Sequence, residues 1–446
     1  MESKFILEPS KEIPVLDEAD VVVIGGGPAG IAAAVASART GAKTILIEKY
    51  GCLGGLITLS SMEPPSWWRQ KDSTMPGGIV EELDNKMIAL GAVQKTFFQP
   101  SAGYAYDTEM FKYVADEFIK ENKVIPLLHC LGTAPLMNGN TIIGVITESK
   151  SGRMAILAKR VIDCSGDADI AFRAGVPTVM AEEATGNVPA GELFGGTLVY
   201  GLSDVDTEKI EAHADSDPMI RHPSLHKLFY DCLPKAEENG DKLPYSMRKT
   251  FVYNRVLKSE IPALNHAWIK VDGTNVKSLT HAEMESRKGI VECLDLMRKY
   301  VPGCGEAKLR NFAMAIGIRE TRRIVGEYQI TYDDIFDKRK FNDSIGVYPV
   351  CMDGPEGCRP AYTPDYFQVP YRIVIPMQVE NLLVAGRCVS SKRRTLGVTR
   401  QVDFAMVTGQ AAGVAAAISA KENEKPRHLD VSKVQAELKR QNVRVD

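Results

Sequence analysis

Residues 20–55 read DVVVIGGGPAGIAAAVASARTGAKTILIEKYGCLGG, and few folds accommodate that order of residues. Asp20 to Ile24 is an apolar, β-branched run of the kind that forms a buried strand. Gly25, Gly27 and Gly30 then make a GxGxxG turn, Ile31 to Arg39 continues as a helix, and Thr44 to Glu48 forms a second strand. The glycines serve different physical needs, namely a tight turn, close approach of backbone to a pyrophosphate, and close packing of helix on strand. Phosphates rest at the positive N-terminus of such a helix, here at Pro28 and Ala29. Glu48 closes the second strand, where a carboxylate accepts hydrogen bonds from both ribose hydroxyls, and Lys49 follows it. A bare GxGxxG is a weak signal, but strand, turn, helix, strand and acid at these distances specify a dinucleotide cradle.

A second glycine-rich turn, Gly51-Cys52-Leu53-Gly54-Gly55, comes directly after. Its close backbone approach suits the phosphates and sugar-like chain of a long cofactor, which favours FAD over NAD. A third small-residue turn, Ser165-Gly166-Asp167, ends an apolar strand near Asp163 and brings backbone to the cofactor again. Toward the C-terminus, Asn381 to Arg387 reads as a buried strand ending in Gly386-Arg387. A long helix then begins near Gly397 to Arg400 and runs through Gly409 and Gly413, small enough to pack against the first glycine turn. Its N-terminus suits partial negative charge on a reduced flavin.

At 446 residues the chain is too long for one ordinary core. We expect an α/β fold: a Rossmann-like FAD-binding domain, with a central parallel sheet and a β-meander, carrying an inserted mixed α+β substrate domain. Residues 1–176 form the first part of the FAD-binding domain, 177–325 the substrate domain, and 326–446 the return strands and the rest of the FAD-binding domain. Residues 1–18 read as an arm or edge strand; helices are expected over 78–90, 108–121, 280–300 and 308–318. Strands are expected over 124–128, 141–148, 155–158, 160–163, 193–202, 328–331 and 346–351. A terminal helix follows a cap at Asp430 or Ser432.

Charge excludes some partners. With 54 Lys and Arg against 57 Asp and Glu, and no block of one sign, nothing asks for nucleic acid or an anionic membrane. No signal-peptide core is present and the apolar run Ala411–Ala417 is short for a membrane span, so a cytoplasmic protein is the expectation. Nine cysteines without a CxxC suit reduced thiols and no metal centre.

With these segments together, the chain resembles the FAD-dependent oxidoreductases of the glutathione-reductase-like superfamily, and more closely a bacterial family of that name. The segments that carry the likeness are Gly25 to Gly30, Glu48 with Gly54-Gly55, Cys164 to Asp167, Arg319 to Ile324, and Asn381 to Gly413. The resemblance implies that Glu48 binds the adenosine ribose, that the Leu131 backbone holds adenine, and that Ser165 to Asp167 closes over the cofactor. It also implies that Arg387 meets the pyrophosphate or ribityl chain and that Gly397, Val398 and Arg400 lie at the flavin end. One departure is that similar sequences often carry a His where this one has Arg393, a permanent cation in place of a titratable group.

Absences narrow the chemistry. There is no second strand–GxGxxG–helix unit for a nicotinamide cofactor, so electrons pass to or from the substrate or an external carrier. Cys52 has no partner cysteine nearby, and no His follows the glycine turn over Leu56 to Met62, so FAD is expected to be noncovalent. Candidate catalytic groups are Arg319 with Arg393 or Arg394 as an anion clamp, His266 or His281 as a base, and Tyr106 from an aromatic segment with Phe97, Phe98 and Tyr104. Trp67 and Trp68 are candidates for lining a cleft. The leading function is hydride transfer between flavin N5 and a small organic substrate, anionic if the arginines clamp it. The alternatives are a flavin hydroxylase with an external reductant and a non-catalytic FAD electron-transfer subunit. A homodimer is the default for an enzyme of this size.

Overall fold

The computed structural model describes residues 6–7, 9–10, 12–65, 69, 72–95, 103–212, 223–359 and 364–446. Trp67, Trp68, Phe97 and Phe98 lie outside the described residues.

Strand β1 (Val15–Ile24) leads through Gly25–Gly27 into helix α1 (Pro28–Arg39) and strand β2 (Thr44–Ile47). Val21 to Ile24 pair in parallel with Thr44 to Ile47, which gives the β-α-β unit expected of the apolar run and glycine turn. Strand β3 (Ile125–Leu127) extends the sheet beyond β2. Strands β4 (Leu131–Asn138), β5 (Thr141–Ser149) and β6 (Gly152–Asp163) follow as an antiparallel meander. The meander belongs to the same sheet, in the order β3-β2-β1-β6-β5-β4, because β6 pairs with β5 on one side and parallel to β1 on the other. The two short strands expected at 155–158 and 160–163 are therefore one. The segment 131–138 gives no strand signal because Gly132, Thr133 and Pro135 interrupt its alternation; pairing with β5 supplies what propensity does not.

A second core collects apolar residues only from positions 198–316. Its antiparallel sheet, in the order β8-β9-β7-β10, is made by β7 (Tyr200–Ser203), β8 (Met247–Val252), β9 (Glu260–Ala267) and β10 (Lys308–Phe312). The long helix α2 (Val276–Tyr300) covers it with Ala282, Ile290, Cys293, Leu294 and Met297 inward. Residues 308–318 correct the helix expected there. Leu309 and Phe312 have helical spacing, but the segment pairs with β7, Leu202 opposite Leu309 and Tyr200 opposite Phe312. The expected strand at 193–202 is regular only from Tyr200, and Tyr328–Thr331 is not a strand, since Thr331 caps a short helix, Tyr332–Phe336.

The chain then returns to the first sheet. Strand β11 (Leu382–Val384) pairs parallel with Val161–Asp163 of β6, and helix α3 (Val402–Glu422) packs across α1. A Cβ on Gly409 would stand 2.2 Å from the Ala29 carbonyl oxygen, and one on Gly413 2.1 Å from that of Ala33, so only glycine permits this crossing. α3 is also the one described helix long and apolar enough, by length and composition, to cross a membrane, so the apolar stretch around Ala411–Ala417 is longer than the sequence reading takes it to be. Its apolar window is 94% buried inside the protein. A terminal helix, Val431–Arg440, is capped by Asp430.

Candidate active site

A cleft of about 390 Å³ runs along the C-terminal ends of β1 and β2 and is bounded on the other side by residues that pack on the second core. Its first wall is the glycine turn. A Cβ on Gly30 would fall 1.7 Å from the Gly25 carbonyl oxygen, so α1 can approach β1 only with glycine there. Gly27 is different: the nearest atom to a Cβ built on it is Gly55 Cα at 3.8 Å, and its face opens on the cleft. α1 has no side-chain cap, which leaves its first N–H groups for a ligand. The second turn touches the first, with the Gly54 N–H donating to Gly26 O at 2.8 Å and Gly55, at φ +50°, bare against Gly27.

Glu48 is held by this pair of turns. Its Oε2 accepts from the Gly26 N–H at 2.7 Å and its Oε1 from the Tyr50 N–H at 2.9 Å. Burial raises its pKa, opposed by those amides and by Lys49. Each oxygen keeps a further lone pair for ribose hydroxyls in the cleft that Glu48 lines. Lys49 also lines the cleft, its ammonium 5.2 Å from the Tyr50 ring centroid. The exposed Leu131 side chain is not part of the cleft wall, and its backbone follows Cys130, whose N–H donates to Glu48 O beside the ribose end.

The third wall is Ser165-Gly166-Asp167. Asp163, fully buried, fixes the turn by accepting from the N–H groups of Ser165, Ile170 and Ala171 at 2.9–3.0 Å. Arg387 lines the cleft, but its donors go to protein: Nε to Gly166 O at 2.9 Å, Nη2 to Asp167 Oδ1 at 2.6 Å, and Nη1 to Ile318 O. Three of its five N–H groups thus form a strut joining the two halves of the molecule, and the guanidinium still borders the cleft where a pyrophosphate or ribityl chain is expected.

At the far end lie Gly386, Arg400, Val402 and Ala405, so the N-terminus of α3 is a second helix start on the cleft. Gly397 and Val398 do not reach it. A Cβ on Gly397 would meet Met352 Cγ at 2.8 Å, and Val398 is fully buried in the core. The opposite wall, Gly273, Leu279, Glu283, Ala315, Ile316 and Ile318, has no signature in the sequence. The stripe on α2 reads as core, and nothing local marks Glu283, whose Oε1 accepts from the Ile316 N–H at 2.7 Å, as a cleft residue.

Three expected catalytic groups are elsewhere. Arg393 is fully buried and paired with Glu320, Nε to Oε1 at 2.8 Å and Nη2 to Oε2 at 2.9 Å, with its remaining donors on the carbonyls of Glu183, Pro189 and Glu192. It has no donor left for a substrate. His266 is buried beneath the second sheet, its Nδ1 facing the Tyr200 hydroxyl at 3.0 Å and its Nε2 the Arg248 carbonyl at 2.5 Å. Burial drives its pKa down to about 3, so it stays neutral and is no base for substrate. Tyr106 is buried with its hydroxyl on Asp84, away from the cleft. Arg394 pairs with Glu356 and stacks on Tyr332, and His281 is exposed on α2.

Arg319 remains beside the cleft, directly after Ile318. Its Nη1 donates to Gly195 O at 2.6 Å, and among the described residues no carboxylate pairs with it. Burial, reinforced by the cations of Arg400 and Arg248, pushes its pKa down to about 9. Arg400 donates to the Asp353 carbonyl at 2.5 Å and carboxylate at 3.2 Å, while its buried Nε has no partner among the described residues. Among the described residues eight cysteines are free thiols, and no cluster of His, Cys, Asp or Glu is placed to hold a metal.

The chain is 41% identical over 76 residues to urocanate reductase of Eggerthella lenta, covering 17% of this chain and 12% of that protein. It is 26% identical over 195 residues to digeranylgeranylglycerophospholipid reductase of Methanoculleus marisnigri, covering 42% and 47% respectively. The match to leghemoglobin reductase of Glycine max, at 64% identity, spans 39 residues, 9% of this chain and 8% of that one, so the chain covers less than a tenth of that relative. Among solved structures, a geranylgeranyl bacteriochlorophyll reductase-like protein from Thermoplasma acidophilum aligns with a TM-score of 0.49 at 14% identity, over 96% of this chain and 85% of that one. The family described as "FAD dependent oxidoreductase" matches residues 20–438, nearly the whole chain. With FAD as the cofactor that the glycine turns, Glu48 and two helix N-termini fit, the protein belongs to that family.

Proposed function

We propose that the protein moves a hydride between a small organic substrate and FAD, with residues 177–325 acting as the substrate domain. The observation that carries this is the composition of the cleft: one wall is the dinucleotide cradle, and the facing wall comes from the second core, through Leu279, Glu283, Ala315, Ile316 and Ile318. Bound flavin supplies the hydride acceptor or donor. The chain's part is to hold both reactants at short range and to keep water from them. Leu56, Leu59, Val402 and Ala405 give that end of the cleft apolar surface, and the α3 N-terminus favours negative charge beside it. The carboxylates that line the cleft are Glu48, Asp167 and, on the facing wall, Glu283, and the accompanying proton passes to such a group or to solvent.

The test is anaerobic mixing of the FAD-loaded protein with panels of hydroxy acids, amines and, after chemical reduction, enoates, read as flavin absorbance. Bleaching or reoxidation by a member of the panel supports hydride transfer. Electron exchange only with a protein partner, or substrate oxygenation only in air, would sink it and favour the electron-carrier or hydroxylase alternative.

A further inference from the structure

Three guanidinium groups from distant parts of the chain meet beside the cleft. Arg248 lies on β8, Arg319 follows the wall residues Ala315, Ile316 and Ile318, and Arg400 ends the short helix Leu396–Thr399. They are close enough that Arg400 and Arg248 both act electrostatically on Arg319, and Arg400 on Arg248; the carboxylate acting on Arg319 and Arg248 is that of Asp353. Trp268 ties two of them together. Its indole packs on Gly195, where a Cβ would come within 2.2 Å of the ring, and the Gly195 carbonyl accepts from Arg319. Arg248 stands over the same indole at 5.7 Å from the ring centroid.

Neither Arg248 nor Arg319 has an ion-pair partner among the described residues, and the buried Arg400 Nε has no hydrogen-bond partner there. Arg393 and Arg323 are neutralised by Glu320 and Glu182, and Arg69 by Asp84. Arg160, buried without a carboxylate, is satisfied singly by Ser419 and by the Ser419 and Glu424 carbonyls, whereas these three guanidinium groups stand together. Three cations against one carboxylate, taken out of water, repel one another unless an anion joins them. Guanidinium forks match planar oxyanions in two-point contacts. Arg400 itself lines the cleft, so an anion held here is next to the cofactor site.

We propose that Arg248, Arg319 and Arg400 form the substrate's anion-binding subsite, and that the substrate is a small organic oxyanion bound through carboxylate or phosphate oxygens, resting on the hydride-transfer function proposed above. Arg319 and Arg400 present donors to the oxyanion. Arg248, braced by Trp268, adds charge and closes the far side.

The FAD-loaded protein is titrated with succinate, benzoate and inorganic phosphate, and with succinamide and benzamide as neutral counterparts. Binding is read from the oxidised flavin spectrum and from the shift in thermal unfolding, neither of which needs turnover. At least one anion should saturate, and its amide should bind about tenfold more weakly or worse. Arg319→Gln and Arg248→Gln should each raise the Kd of that anion by about tenfold or more, and Lys277→Gln, on the exposed start of α2, should leave it unchanged. Response to carboxylates alone or to phosphate alone supports the subsite and names the oxyanion. No saturation by any anion with FAD bound, equal binding of acid and amide, or unchanged affinity in both arginine variants overturns it. Should a variant lose FAD, the acid and amide comparison on the unaltered protein decides. Anion binding, with no bleaching or reoxidation by any member of the hydroxy-acid, amine and enoate panel, sinks hydride transfer alone, while bleaching by neutral substrates without anion binding sinks the subsite alone.

Discussion

Arg393 and Glu320 face each other with both side chains fully buried, joined by two parallel hydrogen bonds of 2.8 and 2.9 Å across 73 residues of chain. Arg323 adds a second guanidinium to the same carboxylate and pairs with Glu182, so two cations meet two acids in a closed set. Such a set contributes to stability chiefly through the cost of breaking it, because a lone buried charge is left behind. Arg393→Ala should destabilise the protein by about 3–5 kcal/mol. Urea unfolding of the FAD-loaded protein checks this, and a variant as stable as the parent but unable to bind succinate or phosphate would return Arg393 to the substrate site.

Two glycines three residues apart should fail in different ways. An alanine methyl at Gly30 collides with the Gly25 carbonyl oxygen, so Gly30→Ala should lower stability as well as FAD content. At Gly27, where φ is −73° and the space is open, alanine costs the protein nothing in conformation but projects into the cleft. Gly27→Ala should fold with its far-UV spectrum and unfolding midpoint near those of the apoprotein and lose FAD by about tenfold or more in affinity. Equal FAD content in parent and variant would show that the pyrophosphate lies elsewhere.

Asp403, in the first turn of α3, is pushed up to about 8 by burial, with Arg69 opposing and Asp84 adding to the rise. A folded pKa above the unfolded one means that the native state binds the extra proton. The stability this proton carries is complete below the ordinary carboxylate range and is lost as pH rises toward 8. Asp403→Asn should remove that dependence, leaving the variant more stable relative to the parent at pH 8 than at pH 5 by an amount of order a few kcal/mol. Denaturant midpoints at the two pH values measure it, and parallel pH dependences would refute it.

His266 has the opposite sign. Its folded pKa, lowered to about 3 by burial, lies below that of an unfolded histidine, so its contribution is present above about 6.5 and is lost as pH falls from there toward 3. His266→Gln should unfold more readily at neutral pH, because Tyr200 and the Arg248 carbonyl lose a shaped partner, yet lose less further stability on acidification. The pH profile of flavin reduction between pH 5 and 8 should keep its shape in this variant. A shifted limb in that profile would make His266 a proton carrier after all.

Contiguity separates what the sequence determined alone from what the tertiary structure decided. The strand, glycine turn, helix and acid of Asp20 to Glu48 are neighbours in the chain, and Gly30 answers to the Gly25 carbonyl within the same turn, so the cradle and its cofactor are legible from residue order. The small residues of α3 are legible as a pattern within one helix, while their partners, Ala29 for Gly409 and Ala33 for Gly413, come from the far end of the chain. Residues 308–318 are not, because pairing with Tyr200–Ser203, a hundred residues earlier, outweighs the local pattern. The arginines show it most sharply. Their sequence neighbourhoods do not say which guanidinium meets a carboxylate. Folding delivers Glu320 to Arg393 and closes it, and leaves Arg319, beside Arg248 and Arg400, short of negative charge. A charged side chain takes its role from partners brought by distant segments, because whether its field is neutralised depends on contacts a few ångströms long that only the packed chain creates.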